Sequence, residues 1–290
     1  MSFVLFSDSS SNITPDLAAA WDVRMLPLYY TIHDEEHPAY GENFDGHAFY
    51  NALRDRVPVR TSMINSAQFA QAFEPVLAEG QDLIYIAMSS GISGTVHAAQ
   101  TAADDLMRKY PGRKALVKDT LAASFGEGLF AKKVSEMRAE GRSIDEASAW
   151  VDEHVQSMNQ VFTVDDLMYL RYGGRISGIS ALIGTLANIK PILWGDTEGR
   201  IAMTDRMIGR KKSLKAVAER YARRVVDPEG QTIAIAHGDC EADAQYLIKL
   251  IREKSPNQEI LLRCYEPGTG AHVGPGAVAL FFFGKERKDA

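Results

Sequence analysis

Short apolar runs that end in a turn rich in Ser, Gly and Asp, each followed by an amphipathic stretch, recur through the first half of the chain. "FVLF" (residues 3–6) leads into "SDSSSNITPDLAAAWD" (7–22), where a Ser, Asn or Thr caps a helix with Pro15 in its first turn. "LIYIAM" (83–88) leads into "SSGISGTVHAAQTAADDL" (89–106). "KALVKDT" (114–120) leads into "LAASFGEGLFAKKVSEMRAEG" (121–141), which Gly141 stops. Strands alternating with helices imply a parallel sheet. The polar turns then sit at the carboxyl ends of the strands, where open α/β sheets bind ligands.

The second half follows a different pattern. After "VFTVDDLMYLRYGGRISG" (161–178) comes a Gly-punctuated run expected to be helical, residues 179–189, then two strand-like runs, "KPILWG" and "GRIAMTD", joined by a turn over residues 196–199. A basic helix from about Ser213 to Arg224, "TIAIAHGD", a helix from about Glu241 to Glu253, "EILLRCYE" and "AVALFFF" complete a mixed α+β pattern. The expected fold class is therefore α/β in two domains: an N-terminal α/β/α domain over residues 1–159 and a C-terminal two-layer α/β domain with a mixed sheet over 160–290.

Composition narrows the function classes. The 290 residues are 46% hydrophobic and 24% charged, which is enough apolar material for a large core. A net charge of −6 argues against nucleic acid as a partner. No run reaches the ~18 apolar residues that a membrane helix requires. "MSFVLFSDSSSN" has neither the basic nor the long apolar region of a secretory signal, so the chain is read as cytoplasmic. Cys240 and Cys264 stand alone, without metal or disulfide spacing.

The turn at residues 89–95 holds Ser89, Ser90, Ser93 and Thr95 with two glycines. Gly91-Ile92-Ser93-Gly94-Thr95 misplaces the last glycine of a nucleophile elbow, and sequence does not reveal which of seven histidines lies near Ser93. No P-loop occurs, and "GTGAHVG" (268–274) misses G-x-G-x-x-G by one residue. A helix start with free N–H groups and hydroxyls suits a carboxylate; ordinary serine capping, worth about 1 kcal/mol, explains the same residues.

Other stretches stay equally open. Thr61 and Ser62 in "RTSMINSAQF" (60–69) sit at an apparent helix start, as ligand donors or as caps. "HDEEH" (33–37) has H-x-x-E-H spacing, but Pro38 follows at once, so a strand entering a solvated loop is expected rather than a zinc helix. "GTGAHVGPG" (268–276) reads as a flexible loop outside the core that leaves His272 available. Residues 200–224 hold nine basic and two acidic side chains, either a solvated helix face or a dock for an acidic partner or a phosphate.

Together these segments resemble the DegV family, bacterial fatty-acid-binding proteins that partner fatty acid kinases. The similarity runs through "SDSSSNIT", "TSMINSAQF", "SSGISGTVHAA", "KDTLAASFGEG", "VDDLMYLRYGGRIS", "NIKPIL", "RKKSL" and "GAHVGPGAVALFFFG". It implies that a long acyl chain lies in an apolar tunnel, with its carboxylate held by Thr61 or Ser62, by Ser93 with Gly94 close by, and by His272. It also implies no cofactor and no catalysis by this chain; the partner kinase phosphorylates the bound carboxylate with ATP to give an acyl phosphate. Arg175 joins His272 as a candidate for steadying the head group. Arg206, Arg210 and Lys211 are candidate kinase contacts, and transient membrane-surface contact is left open. Met63 in place of the family's Gln, and Val96-His97 in place of Tyr-Gln, are departures expected to alter the pocket wall. The rival readings are a serine hydrolase or acyl transferase using Ser93 and His272, and a stand-alone lipid sensor.

Overall fold

A computed structural model describes residues 3–42, 44–176, 188–256 and 258–289. The first half opens with β1 (Val4–Asp8), α1 (Pro15–Trp21), β2 (Arg24–Leu26), β3 (Tyr29–Ile32), β4 (Glu35–Pro38), α2 (Gly46–Arg54) and β5 (Val59–Ser62). It continues with α3 (Ser66–Ala78), β6 (Leu83–Ala87), α4 (Thr95–Lys109), β7 (Ala115–Asp119), α5 (Phe125–Ala139) and α6 (Ile144–His154). The second half contains β8 (Met158–Thr163), α7 (Met168–Tyr172), β9 (Ile189–Gly195), β10 (Ile201–Ile208) and α8 (Arg210–Arg224). Last come β11 (Thr232–His237), α9 (Glu241–Arg252), β12 (Glu259–Cys264), α10 (Pro267–Val273) and β13 (Val278–Phe283). The Gly-punctuated run expected to be helical lies outside the described residues, apart from Asn188 and Ile189.

The fold is α/β, with one fully parallel sheet ordered β2-β1-β6-β7 and one mixed sheet ordered β10-β9-β8-β13-β11-β12. In the mixed sheet only β11 and β12 run parallel. A strand buried on both faces reads as continuous apolar sequence rather than as alternation, and β1 and β6 do so. Leu5, Ile84 and Ile86 point to one side, while Val4, Phe6, Leu83 and Tyr85 pack with α3 and α4 on the other.

Helix α5 lies between the two sheets. Its buried Phe125, Phe130 and Val134 share one core with Leu5 and Ile84 of the parallel sheet and with Ala234, Ala236, Ala279 and Phe281 of the mixed sheet. Strand β11 alternates Ile and Ala: the alanines face α5 and admit it closely, while Ile233 and Ile235 turn outward to α8 and α9. Such a helix must be apolar nearly all round, as α5 is through its first half.

Its buried exception, Glu127, fixes the turn after β1. Asp8 accepts the Ser10 N–H at 2.8 Å, and the Ser10 hydroxyl reaches both Asp8 and Glu127. One hydroxyl proton cannot serve two carboxylates, so one of the acids carries a proton. Burial raises the pKa of both carboxyls, and the charge of Asp8 adds to the rise at Glu127, so the pair holds its shared proton together.

Three expectations differ from this architecture. Residues 33–37 form a hairpin, not a loop: β3 and β4 pair around His33 and Asp34, whose φ angles of 51° and 61° make the tight turn. Strand β5 adds to β3, giving a three-stranded antiparallel sheet, β4-β3-β5. Thr61 and Ser62 therefore end a strand rather than start a helix, and Asn65 caps α3 through a capping box with Gln68. The glycine-rich "GTGAHVGPG" is not a loose loop, because most of it folds as α10 with Gly268, Gly270 and Val273 buried. Its glycines serve proximity: a Cβ on Gly270 would stand 2.4 Å from the Tyr50 hydroxyl oxygen.

Candidate functional site

A cavity of about 190 Å³ opens at the carboxyl ends of β6 and β7, between the parallel sheet and the inner face of the mixed sheet. Leu28, Met88, Ile92 and Ala123 line it from the first half, and Phe162, Ile201 and Phe281 from the second. Its polar wall comes from separate elements: Thr61 and Ser62 at the end of β5, Ser93 and Gly94 before α4, Arg175 after α7, and His272 with Thr269 on α10. The five residues expected to hold a carboxylate, together with Arg175, thus border one space although the chain separates Thr61 from His272 by 211 positions.

Thr61 Oγ1 and His272 Nε2 are 2.9 Å apart. Burial, and then the positive charge of Arg175, pushes the His272 pKa down to about 4, so the imidazole is neutral near pH 7. Arg175 Nε donates to the Ile92 carbonyl at 3.2 Å and its guanidinium also reaches the Gly173 carbonyl, which ties α7 to the β6–α4 turn. Burial lowers the Arg175 pKa, yet a guanidinium stays charged. A neutral donor and a fixed cation beside hydroxyls suit a carboxylate entering with its charge.

The hydroxyls of the β6–α4 turn have distinct tasks. Ser89 Oγ donates to the Gly199 carbonyl at 2.8 Å and so pins the β9–β10 hairpin tip against the turn. Ser93 Oγ lies 2.8 Å from Thr95 Oγ1 and accepts the Thr95 N–H at 3.3 Å, while Gly94 occupies the cap position without a side-chain cap. Glu266 N-caps α10 by accepting the Gly268 and Thr269 N–H groups, and burial pushes its carboxyl up to about 7.

Arg206, Arg210 and Lys211 are absent from the cavity wall. Arg206 and Lys211 are exposed. Arg210 is engaged within the fold, 2.8 Å from Asp243 and 3.7 Å from Asp165. Of the departures, only Met63 lines the cavity; it covers Gly94, whose Cβ would stand 3.1 Å from Met63 Sδ. Val96 packs toward the α3–α4 core and His97 faces solvent, so neither forms the pocket wall as expected.

Sequence reasoning missed Thr269, Ser124, Gln160 and Gly173. The first three line the cavity. Gly173 stands behind His272, where a Cβ would come 2.2 Å from Nδ1. "RYGGR" carried that signal, since glycine is required where another side chain approaches the backbone.

Fold and site together define an α/β protein with an apolar cavity between two sheets and a small hydroxyl, imidazole and guanidinium cluster at one wall. The chain belongs to the DegV family: the family model described as "Uncharacterised protein, DegV family" matches residues 2–285. A DegV domain-containing protein of Clostridium perfringens is 39% identical over 290 residues, covering 99% of each chain. A DegV family protein from Thermus thermophilus, described as fatty acid binding, superposes with a TM-score of 0.86 at 27% identity, covering 98% of this chain and 100% of its own. A fatty-acid-binding DegV family protein from Streptococcus agalactiae gives 0.86 at 25% identity, covering 99% and 100%. No helix among the described residues is long and apolar enough to cross a membrane.

Proposed function

We propose that this chain binds a long-chain fatty acid in the cavity and presents its carboxylate to a separate fatty acid kinase, which transfers the γ-phosphoryl group of ATP to a carboxylate oxygen and releases ADP. The observation that carries the reading is the Thr61–His272 pair, 2.9 Å apart, on the wall of an otherwise apolar space. Relatives described as fatty acid binding share the whole chain with it. Each buried CH₂ contributes about 0.8 kcal/mol, and the anion needs donors where it leaves water. Thr61, Ser62, Ser93, the Gly94 backbone and His272 supply them, with units 1–159 and 160–290 closing on the chain.

Docking of the kinase falls to the exposed Arg206, Lys211, Lys212 and Lys215, while Arg210 keeps its ion pair to Asp243. Charge reversal at Lys211 and Lys212 should lower kinase-dependent acyl phosphate formation without changing fatty acid affinity. The hydrolase alternative is the weaker one. Ser93 and His272 hydrogen-bond to Thr95 and Thr61 rather than to each other, and a histidine held at about 4 is a poor base at pH 7. The decisive test is mass spectrometry of the organic extract of the purified, denatured protein, alongside titration with palmitate. A stoichiometric fatty acid supports the reading; an empty extract together with no palmitate binding refutes it.

A further inference from the structure

We infer that the groove on the outer side of the Thr61–His272 pair is a phosphoryl site, in which Arg60 and Arg175 hold the phosphate of the acyl phosphate product. The groove measures about 870 Å³ and runs between the α2–β5 segment, α7 and α10, with Val59, Tyr169, Tyr172 and Ala271 among its walls. Thr61, Arg175 and His272 line both this groove and the acyl cavity. These three residues are therefore the partition between the two spaces, and a carboxylate held by them has one side toward each.

The charges of the groove suit a dianion. On a protein of net charge −6, no carboxylate lines it among the described residues, whereas three arginines do. They are not equally available. Arg56 lies 2.8 Å from Asp166 and its guanidinium covers the Tyr169 ring at 5.3 Å, so its charge is already matched. Arg175 spends Nε and Nη1 on the carbonyls of Ile92 and Gly173, neutral acceptors that leave its charge uncompensated. Arg60 is exposed on β5, an edge strand of the β4-β3-β5 sheet, and has no hydrogen-bond or ionic partner among the described residues. Two unmatched guanidiniums thus border one groove, and their planar forks match the oxygens of a phosphate.

Reaction geometry selects the same side. In phosphoryl transfer the attacking and leaving oxygens stand in line on opposite sides of phosphorus. A carboxylate oxygen forms its bond to the γ-phosphorus while the bond from phosphorus to the β,γ-bridging oxygen breaks, and ADP carries that oxygen away. The acyl chain fills the inner side of the partition, so phosphorus and leaving group must lie on the outer side. The product's phosphate then remains in the groove, and fixed cations there stabilise the charge that it brings.

This inference rests on the fatty-acid reading above, and the experiment keeps the two apart. The probes are palmitate and the phosphonate that mimics palmitoyl phosphate with CH₂ in place of the bridging oxygen, each titrated calorimetrically into the whole protein. Arg60→Gln should weaken the phosphonate about tenfold, the loss of one charge-assisted hydrogen bond, and leave palmitate within about twofold of wild type. Arg60→Lys, which keeps the charge, should recover most of that loss. Added salt should weaken the phosphonate more than palmitate in the wild type, and the difference should shrink in Arg60→Gln. A phosphonate affinity unchanged by Arg60→Gln, or a palmitate affinity that falls with it, overturns the inference. A wild type that binds palmitate but not the phosphonate overturns it equally and leaves the fatty-acid reading standing. If neither probe binds, the fatty-acid reading has failed, and the inference fails with it.

Discussion

Gly173→Ala tests whether the imidazole position governs ligand binding. Gly173 has φ −70° and ψ −11°, a conformation alanine adopts freely, so backbone strain does not enter. Alanine at a helix end even gains up to about 1 kcal/mol over glycine in propensity. The new Cβ, however, would stand 2.2 Å from His272 Nδ1 and 3.0 Å from Cε1, so the ring must leave. It then loses the Thr61 contact, about 1 kcal/mol for a neutral hydrogen bond. The bound carboxylate loses its imidazole donor, about 1.5–3 kcal/mol for a hydrogen bond to a charged group. Palmitate affinity should therefore fall roughly 10- to 150-fold, with the melting temperature nearly unchanged because the helix gain offsets the lost bond. Calorimetric titration and thermal unfolding read both quantities. In a His272→Ala background the same substitution should cost almost nothing. An affinity within twofold of wild type, or equal losses in both backgrounds, would refute the reasoning.

Two further outcomes follow from buried charge. His272 is held neutral with its pKa down at about 4, so its share of stability is full above its ordinary value near 6.5 and is lost as pH falls through about 4. Glu266, pushed up to about 7, acts with the opposite sign: its share is full below the ordinary carboxyl value and is lost as pH rises through about 7. Urea unfolding across pH should lose up to about 3 kcal/mol at each site, with His272→Asn flattening the acid limb and Glu266→Gln the neutral one; unchanged slopes in the variants would contradict the assignment. Arg287, 2% exposed, donates to the carbonyls of Leu121, Asp196 and Val155. Arg287→Ala should cost about 1–3 kcal/mol by removing the buried donor to the Val155 carbonyl, while the Leu121 and Asp196 carbonyls keep Gln160 Nε2 and the Gly199 N–H; chemical denaturation measures it, and a loss under about 1 kcal/mol would show that water replaces the guanidinium.

Much of the parallel sheet was legible because β1, β6 and β7 each start as an apolar run that ends in its own turn chemistry, whereas the three-residue β2, opening on Arg24, offered no such run. The cavity wall was legible where hydroxyls cluster beyond what a cap requires, as at Ser93 and Thr61. What misled was composition. Glycine-rich "GTGAHVGPG" carries the statistics of a loop, yet its glycines exist so that Tyr50 and a buried helix can touch, and composition does not separate freedom from proximity. The β3–β4 hairpin was illegible for the converse reason: His33 and Asp34 adopt positive φ without the Asn-Gly signature that advertises such a turn. Ser124 and Gln160 gave no local signal, because their meaning depends on a strand from each half meeting.

The position of α5 has a consequence for how the molecule can be taken apart. A helix that completes the core of both sheets belongs to neither, so each half lacks a wall without the other. A cut between α6 and β8 would strand Ala234, Ala236 and Phe281 in water on one fragment and the outer side of Phe125 and Phe130 on the other. Such a chain should melt as one cooperative unit, and recombination between relatives would have to exchange α5 together with the β-strand alanines that make room for it.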